Sequence, residues 1–307
     1  MDAFLQNLVN GLSLGSIYAL IALGYTLVYG ILRLINFAHG DLFMLAAYSA
    51  LGVAALIGLG AVPVPAGLAV SHWGAFALVL AVAMLVAAAA GWLVERYAYR
   101  PLRGQPRLNL LITAVGVSLL LENSVQAWNP DPLKFPDLIV DSPVFKLGGA
   151  QVSRVDLVVL LTTLVLLVAL EFWVQKTRQG RAMRALSHNH ETASLLGIPV
   201  DRVIAITFAV CSALAAAAAV LYGVKYPTVD PLMGVMPGLK AFVAAVLGGI
   251  GNLRGAVIGG LILGLAETFV AAYGASTWRD ALAFALLILI LLFKPAGLFG
   301  TYEREKV

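Results

Sequence analysis

Charged side chains make up only 12% of this 307-residue sequence, about half the share with which a soluble domain keeps its surface wet. A freely soluble globular enzyme is a poor fit. Cysteine is nearly absent: Cys211 stands alone inside an apolar segment, which rules out an intrachain disulfide or a cysteine metal cluster and marks it as a small core residue. The excess of Lys and Arg over Asp and Glu is only +4, too small and too scattered to suggest nucleic acid. No phosphate loop, no HExxH helix and no paired cysteines occur, and no nucleophile elbow is expected. No catalytic residue, cofactor or metal ligand is therefore assigned. His188, His190 and Glu191 invite a metal reading, but residues two apart on a helix face different ways, and a solvated loop is the expectation there.

What is present is hydrophobicity: 61% of the residues are apolar and the mean hydropathy is +0.93. Because a spanning backbone must satisfy its own hydrogen bonds, long uncharged runs predict an all-α integral membrane protein. The fold class is a polytopic bundle of about 8–9 transmembrane helices with broken or re-entrant segments, forming a single membrane domain over 1–307. No charge interrupts Ala3 to Leu32, a run too long for a signal-peptide core. Leu42 to Val94 reads as two spans broken near Pro63, Pro65 and Gly67. Further spans fall at about 108–128, 156–174, 203–223, 239–251, 255–273 and 280–293. The segment 239–251 is short, and Gly251, Asn252 and Gly255 make it a candidate for a break or a re-entrant turn.

If all nine segments cross with the amino terminus outside, fourteen of the twenty Lys and Arg face inward, among them Arg33, Arg96, Arg100, Arg103, Arg107, Arg254, Arg304 and Lys306. If 239–251 re-enters, only eleven do. The positive-inside bias favours nine crossings, with the amino terminus outside and the carboxyl terminus inside. Glycines in GxxxG spacing (Gly11 with Gly15, Gly251 with Gly255 and Gly259, Gly260 with Gly264) suit close helix contacts. The alanine run 215–219 suggests the same.

The hydrophilic stretch 175–202 has the features of a docking element. Asn189 is a good N-cap, Glu191 sits where the helix dipole favours an acid, and Gly197, Ile198 and Pro199 form a stop. A helix of about seven residues follows, flanked by Arg181, Arg184 and Arg202, with Ala193, Leu195 and Leu196 offering apolar contacts. A capped helix that touches only lipid headgroups is the plainer alternative. Inside the spans lie Asn36, His39 and Asp41, Glu122 with Asn123, and Glu267. Polar groups at such depth usually face a bundle interior or a watery path. Asn36, His39, Glu122, Asn123, Asn252 and Glu267 are the candidate pathway residues, with helix capping or bridging as their structural alternative.

Four ordered blocks carry a resemblance over nearly the whole chain: GLSLGSIYALIALGYTLVYGILRLINFAHGD from Gly11, GRAMRALSHNHETASLLGIPVDRV from Gly180, GGIGNLRGAVIGG from Gly248 and LLFKPAGLFG from Leu291. The chain resembles the permease subunits of bacterial ABC importers for branched-chain and other hydrophobic amino acids, the LivH type. That resemblance implies an inner-membrane permease with an internal inverted repeat and alternating access. It further implies a second homologous permease, two cytoplasmic ATPase subunits and a periplasmic amino-acid-binding protein as partners. By the same likeness Arg184, Asn189, Glu191, Ala193, Leu196, Gly197 and Ile198 belong to the ATPase-coupling loop; the run His188, Asn189, His190 departs from the family's pattern. A permease for urea or short-chain amides is the alternative within the superfamily. An uncoupled channel, which has no use for the docking element, and an intramembrane enzyme built on His39, Glu122 and Glu267, which no catalytic motif unites, rank below both.

Overall fold

The computed structural model describes residues 2–58, 72–147, 149–274 and 276–300. The turn expected at Pro63, Pro65 and Gly67, and the tail bearing Arg304 and Lys306, lie outside the described residues. The rest is almost entirely helical: α1 (Asp2–Leu32), α2 (His39–Leu56), α3 (His72–Val94), α4 (Arg107–Trp128), α5 (Arg154–Lys176), α6 (Arg178–His188), α7 (His190–Leu195), α8 (Val200–Lys225), α9 (Val235–Gly248), α10 (Leu253–Tyr273) and α11 (Arg279–Phe293). Among the described residues eight helical stretches are long and apolar enough to cross a membrane, and α9 is a shorter apolar helix.

Burial sorts these helices into a centre and a periphery. The most apolar window of α1 is 89% buried and that of α8 78%, against 6% for the helix ending at Phe293. The apolar periphery has no protein to pack on, as a lipid-facing or partner-facing surface would. At the centre, alanine and glycine replace bulk. Ala215 to Ala219 are fully buried, which lets α8 lie close against α1, α2 and α3. The α1–α10 contact is a glycine seam: a Cβ on Gly15 would stand 2.8 Å from the Leu261 Cα, and one on Gly264 would strike the Gly15 backbone. In lipid, where tails solvate leucine as well as another helix does, this backbone approach is what holds two spans together. Gly251 does not share in it. Its φ of 96° puts it in the α9–α10 turn with open space where a Cβ would be, so the GxxxG spacing around it begins only at Gly255.

Polar contacts identify the two ends of the bundle. At one end Gln6 of α1 accepts from the Gln151 backbone N–H at 2.8 Å, and Lys225, closing α8, meets Asp156 at the start of α5 at 2.6 Å. A two-stranded hairpin, β1 (Pro143–Leu147) with β2 (Ala150–Ser153), also lies here. At the other end Arg254 of α10 bridges to Glu171, late in α5, at 2.6 Å. The segment after α11 folds back there, donating from Leu298 to Leu247 at 2.9 Å and from Phe299 to Gly248 at 3.0 Å. Two of the sequence blocks thus interlock. The short α9 runs toward the second end; its 14 residues rise about 21 Å, and a short strand at Thr228–Val229 followed by a turn over 231–234 leads into it from the first end. Among the described residues nine apolar helices alternate between the ends, so α1 begins at the end opposite to the one where α11 stops.

Candidate functional site

The second end carries the docking element. Gly180, Met183 and Leu186 fall on one face of α6 and are buried, which makes the first part of the docking stretch an amphipathic helix packed on the bundle. His188 closes that helix, and His190 opens α7. Asn189 between them caps α7, its side chain accepting from the Thr192 N–H at 2.9 Å. The far end of α7 is closed twice: Gly197 donates to the Ser194 carbonyl at 2.9 Å and Ile198 to the Ala193 carbonyl at 3.1 Å, with Gly197 at φ 77°. This is the paired arrangement that satisfies the last carbonyls of a helix, and its left-handed residue favours glycine. Ala193 is 2% exposed and anchors the turn, while Leu195 and Leu196 are 83% and 75% exposed. Arg184 points elsewhere, to the Gln175 carbonyl at 3.4 Å, and Glu191 is exposed.

Beneath α7 an ionic network ties the helices to one another. Arg103 pairs with buried Glu95, just beyond the end of α3, and with Asp201 of α8, and Arg100 shares Asp201. Neither Glu95 nor Asp201 was singled out from sequence, although an acid between basic residues at a span boundary is a readable signal. Partial burial, with Arg103 and Arg33 nearby, holds the His190 imidazole below its ordinary range.

Within the spans, the predicted polar residues separate. Asn36 accepts from Tyr99 Oη at 2.7 Å. His39 lies edge-on to Tyr25 with ring centroids 4.8 Å apart. Asp41 faces α4, where it lines one cavity with Ser118 and Glu122. The NFAHGD block thus touches three different helices. Asn123, one residue beyond Glu122, faces outward and donates to the Leu119 carbonyl of its own helix at 2.7 Å. Asn252 caps α10 by accepting from Gly255 N at 3.1 Å and donates to the Phe299 carbonyl at 3.0 Å. Glu267, only 2% exposed, accepts from Tyr18 at 2.9 Å and pairs with Lys240 of α9 at 2.7 Å, while Lys240 also meets Asp280 at 2.7 Å. Lys240 was missed from sequence, though a lysine in an apolar run is itself a signal. His39, Glu122 and Glu267 do not form one cluster. The letters Gly11 to Gly15 do spell GxSxG, but they lie inside α1 rather than on the strand-to-helix turn that a nucleophile elbow requires.

Residues 7–291 match the family described as branched-chain amino acid transport system / permease component. The chain is 43% identical over 311 residues to the high-affinity branched-chain amino acid transport system permease protein BraD of Pseudomonas aeruginosa, covering 99% of this chain and 98% of that protein. It is 44% identical over 309 residues to the corresponding permease protein LivH of Escherichia coli, with the same coverage of 99% and 98%. It is also 44% identical over 312 residues to LivH of Salmonella typhimurium, again at 99% and 98%.

Proposed function

The chain belongs to the family of branched-chain amino acid transport permease components, and from that premise we propose that it is the membrane permease of an ATP-driven importer for branched-chain or other hydrophobic amino acids. It is a transport subunit and not an enzyme; ATP is hydrolysed by two separate cytoplasmic ATPase subunits. A second, homologous permease completes the path, and a periplasmic binding protein delivers the amino acid. The whole chain acts as one permease domain in the bacterial inner membrane. Its basic end, with Arg33, Arg96, Arg100 and Arg103, is cytoplasmic by the positive-inside bias, so the amino terminus is periplasmic and the carboxyl terminus cytoplasmic.

The observation that carries this reading is the α7 tip. Two leucines stand exposed at the end of a helix closed at both termini, a geometry suited to insertion into an apolar groove of a partner. The buried Ala193 and the ionic network below it connect that tip to α3 and α8, so displacement of the tip moves the spans. Copurification of the tagged ATPase subunits with this permease tests the assignment. Leu195→Asp with Leu196→Asp is expected to lower their recovery at least about tenfold, as loss of two buried leucines implies, with the permease still inserted. Wild-type recovery would remove α7 from the interface.

A further inference from the structure

Each of the other deeply buried carboxylates keeps a cation: Glu95 has Arg103, Asp156 has Lys225 and Glu267 has Lys240. Asp41 and the half-buried Glu122 facing it are different. Asp41 is 2% exposed, lines the same cavity as Glu122 across the α2–α4 contact, and leaves its Oδ2 without a hydrogen-bond partner. Among the described residues no Lys, Arg or His stands within ion-pair distance of either carboxyl. Both line a cavity of about 220 Å³ together with Tyr25, Gly40, Ser118 and Gly238, far more room than a single water needs. Apolar side chains of α4 and α9, Val115, Leu119, Val235 and Leu239, also line it. One side is bare backbone: a Cβ on Gly40 would come within 2.6 Å of the Gly234 carbonyl oxygen.

A buried charge without a partner is strongly disfavoured, and an arriving cation relieves it. We propose that Asp41 and Glu122 receive the primary ammonium group of the transported amino acid while its hydrocarbon side chain lies along Val115, Leu119, Val235 and Leu239. An ammonium has three donors and no acceptor, which suits two carboxylates and the Ser118 hydroxyl. The apolar walls offer no hydrogen bonds to the substrate, so the contact holds the cation without gripping the whole molecule, as passage requires. This inference rests on the transport reading and names the groups that meet the substrate within it.

The test reconstitutes the wild-type complex and treats it with a membrane-permeant carbodiimide, reading modification of Asp41 and Glu122 by mass spectrometry. Leucine and 3-methylbutylamine, which carry the ammonium, are expected to slow modification at least about threefold, and 4-methylpentanoate, which lacks it, is not. Equal protection by all three, protection by none, or no modification at all overturns the proposal, because a site open to substrate is open to the small reagent. In parallel, Asp41→Asn with Glu122→Gln is expected to lose about tenfold or more of leucine uptake, the loss of charge-assisted hydrogen bonds, with the complex assembled at wild-type yield. Wild-type uptake by that variant also overturns it. Absence of leucine uptake by the wild-type complex would instead refute the transport reading itself.

Discussion

Lys240 reaches from α9 to Glu267 on α10 at 2.7 Å, and Tyr18 of α1 holds the second carboxylate oxygen at 2.9 Å. Three helices are thereby joined at a depth where water cannot compensate a broken pair. Removing one partner of a buried ion pair leaves the other charge uncompensated, typically at a cost of several kcal/mol. Lys240→Met is accordingly expected to destabilise the protein by about 3 kcal/mol, read as a lowered unfolding midpoint in detergent, and adding Glu267→Met should restore much of it. An unchanged midpoint for Lys240→Met would show that Tyr18 and Arg279, the latter 3.8 Å from Glu267, suffice. Glu267 was legible from sequence as an intramembrane charge. Its partner was not paired with it, because spacing along one chain carries no distance between spans. Asn36, His39 and Asp41 show the same limit: three polar residues within six positions go to three different helices.

At the scale of elements, hydropathy and end signals were highly legible. The expected spans 108–128, 156–174 and 203–223 became α4, α5 and α8 with one to three residues added at an end. The Asn189 cap and the Gly197 stop bound α7 as local chemistry dictates, since both signals act within one turn. Missing from the sequence reading were α6 and the β1–β2 hairpin. The apolar face of α6 is only three residues wide and lies hidden among charges, and the hairpin's Gly148–Gly149 turn signal went unused. Gly197 offers the sharpest test of an element. At φ 77° with open space around it, only backbone strain opposes a side chain there, so Gly197→Val costs on the order of 1–2 kcal/mol locally. Lower transport-linked ATPase activity with normal membrane insertion is the expected result; unchanged coupling would deny α7 its role.

For the whole molecule, the nine alternating helices predict that the tip of α7 and the β1–β2 hairpin face opposite sides of the membrane. Cys211 is buried, so cysteines introduced at Leu195 or Lys146, both exposed, can be labelled against a low background. In sealed right-side-out vesicles an impermeant maleimide should modify Lys146→Cys and not Leu195→Cys; the reverse, or both, would overturn the assigned orientation. Which surface meets the second permease was not legible from sequence, because lipid-facing and partner-facing helices have the same apolar composition. The most direct test of the transport assignment is ATP hydrolysis in proteoliposomes containing this permease, its partner permease and ATPase subunits, with the binding protein loaded in turn with leucine, phenylalanine or urea. Stimulation by the leucine-loaded or phenylalanine-loaded protein is predicted; stimulation by urea alone, or by none of the three in an assembled complex, would contradict it.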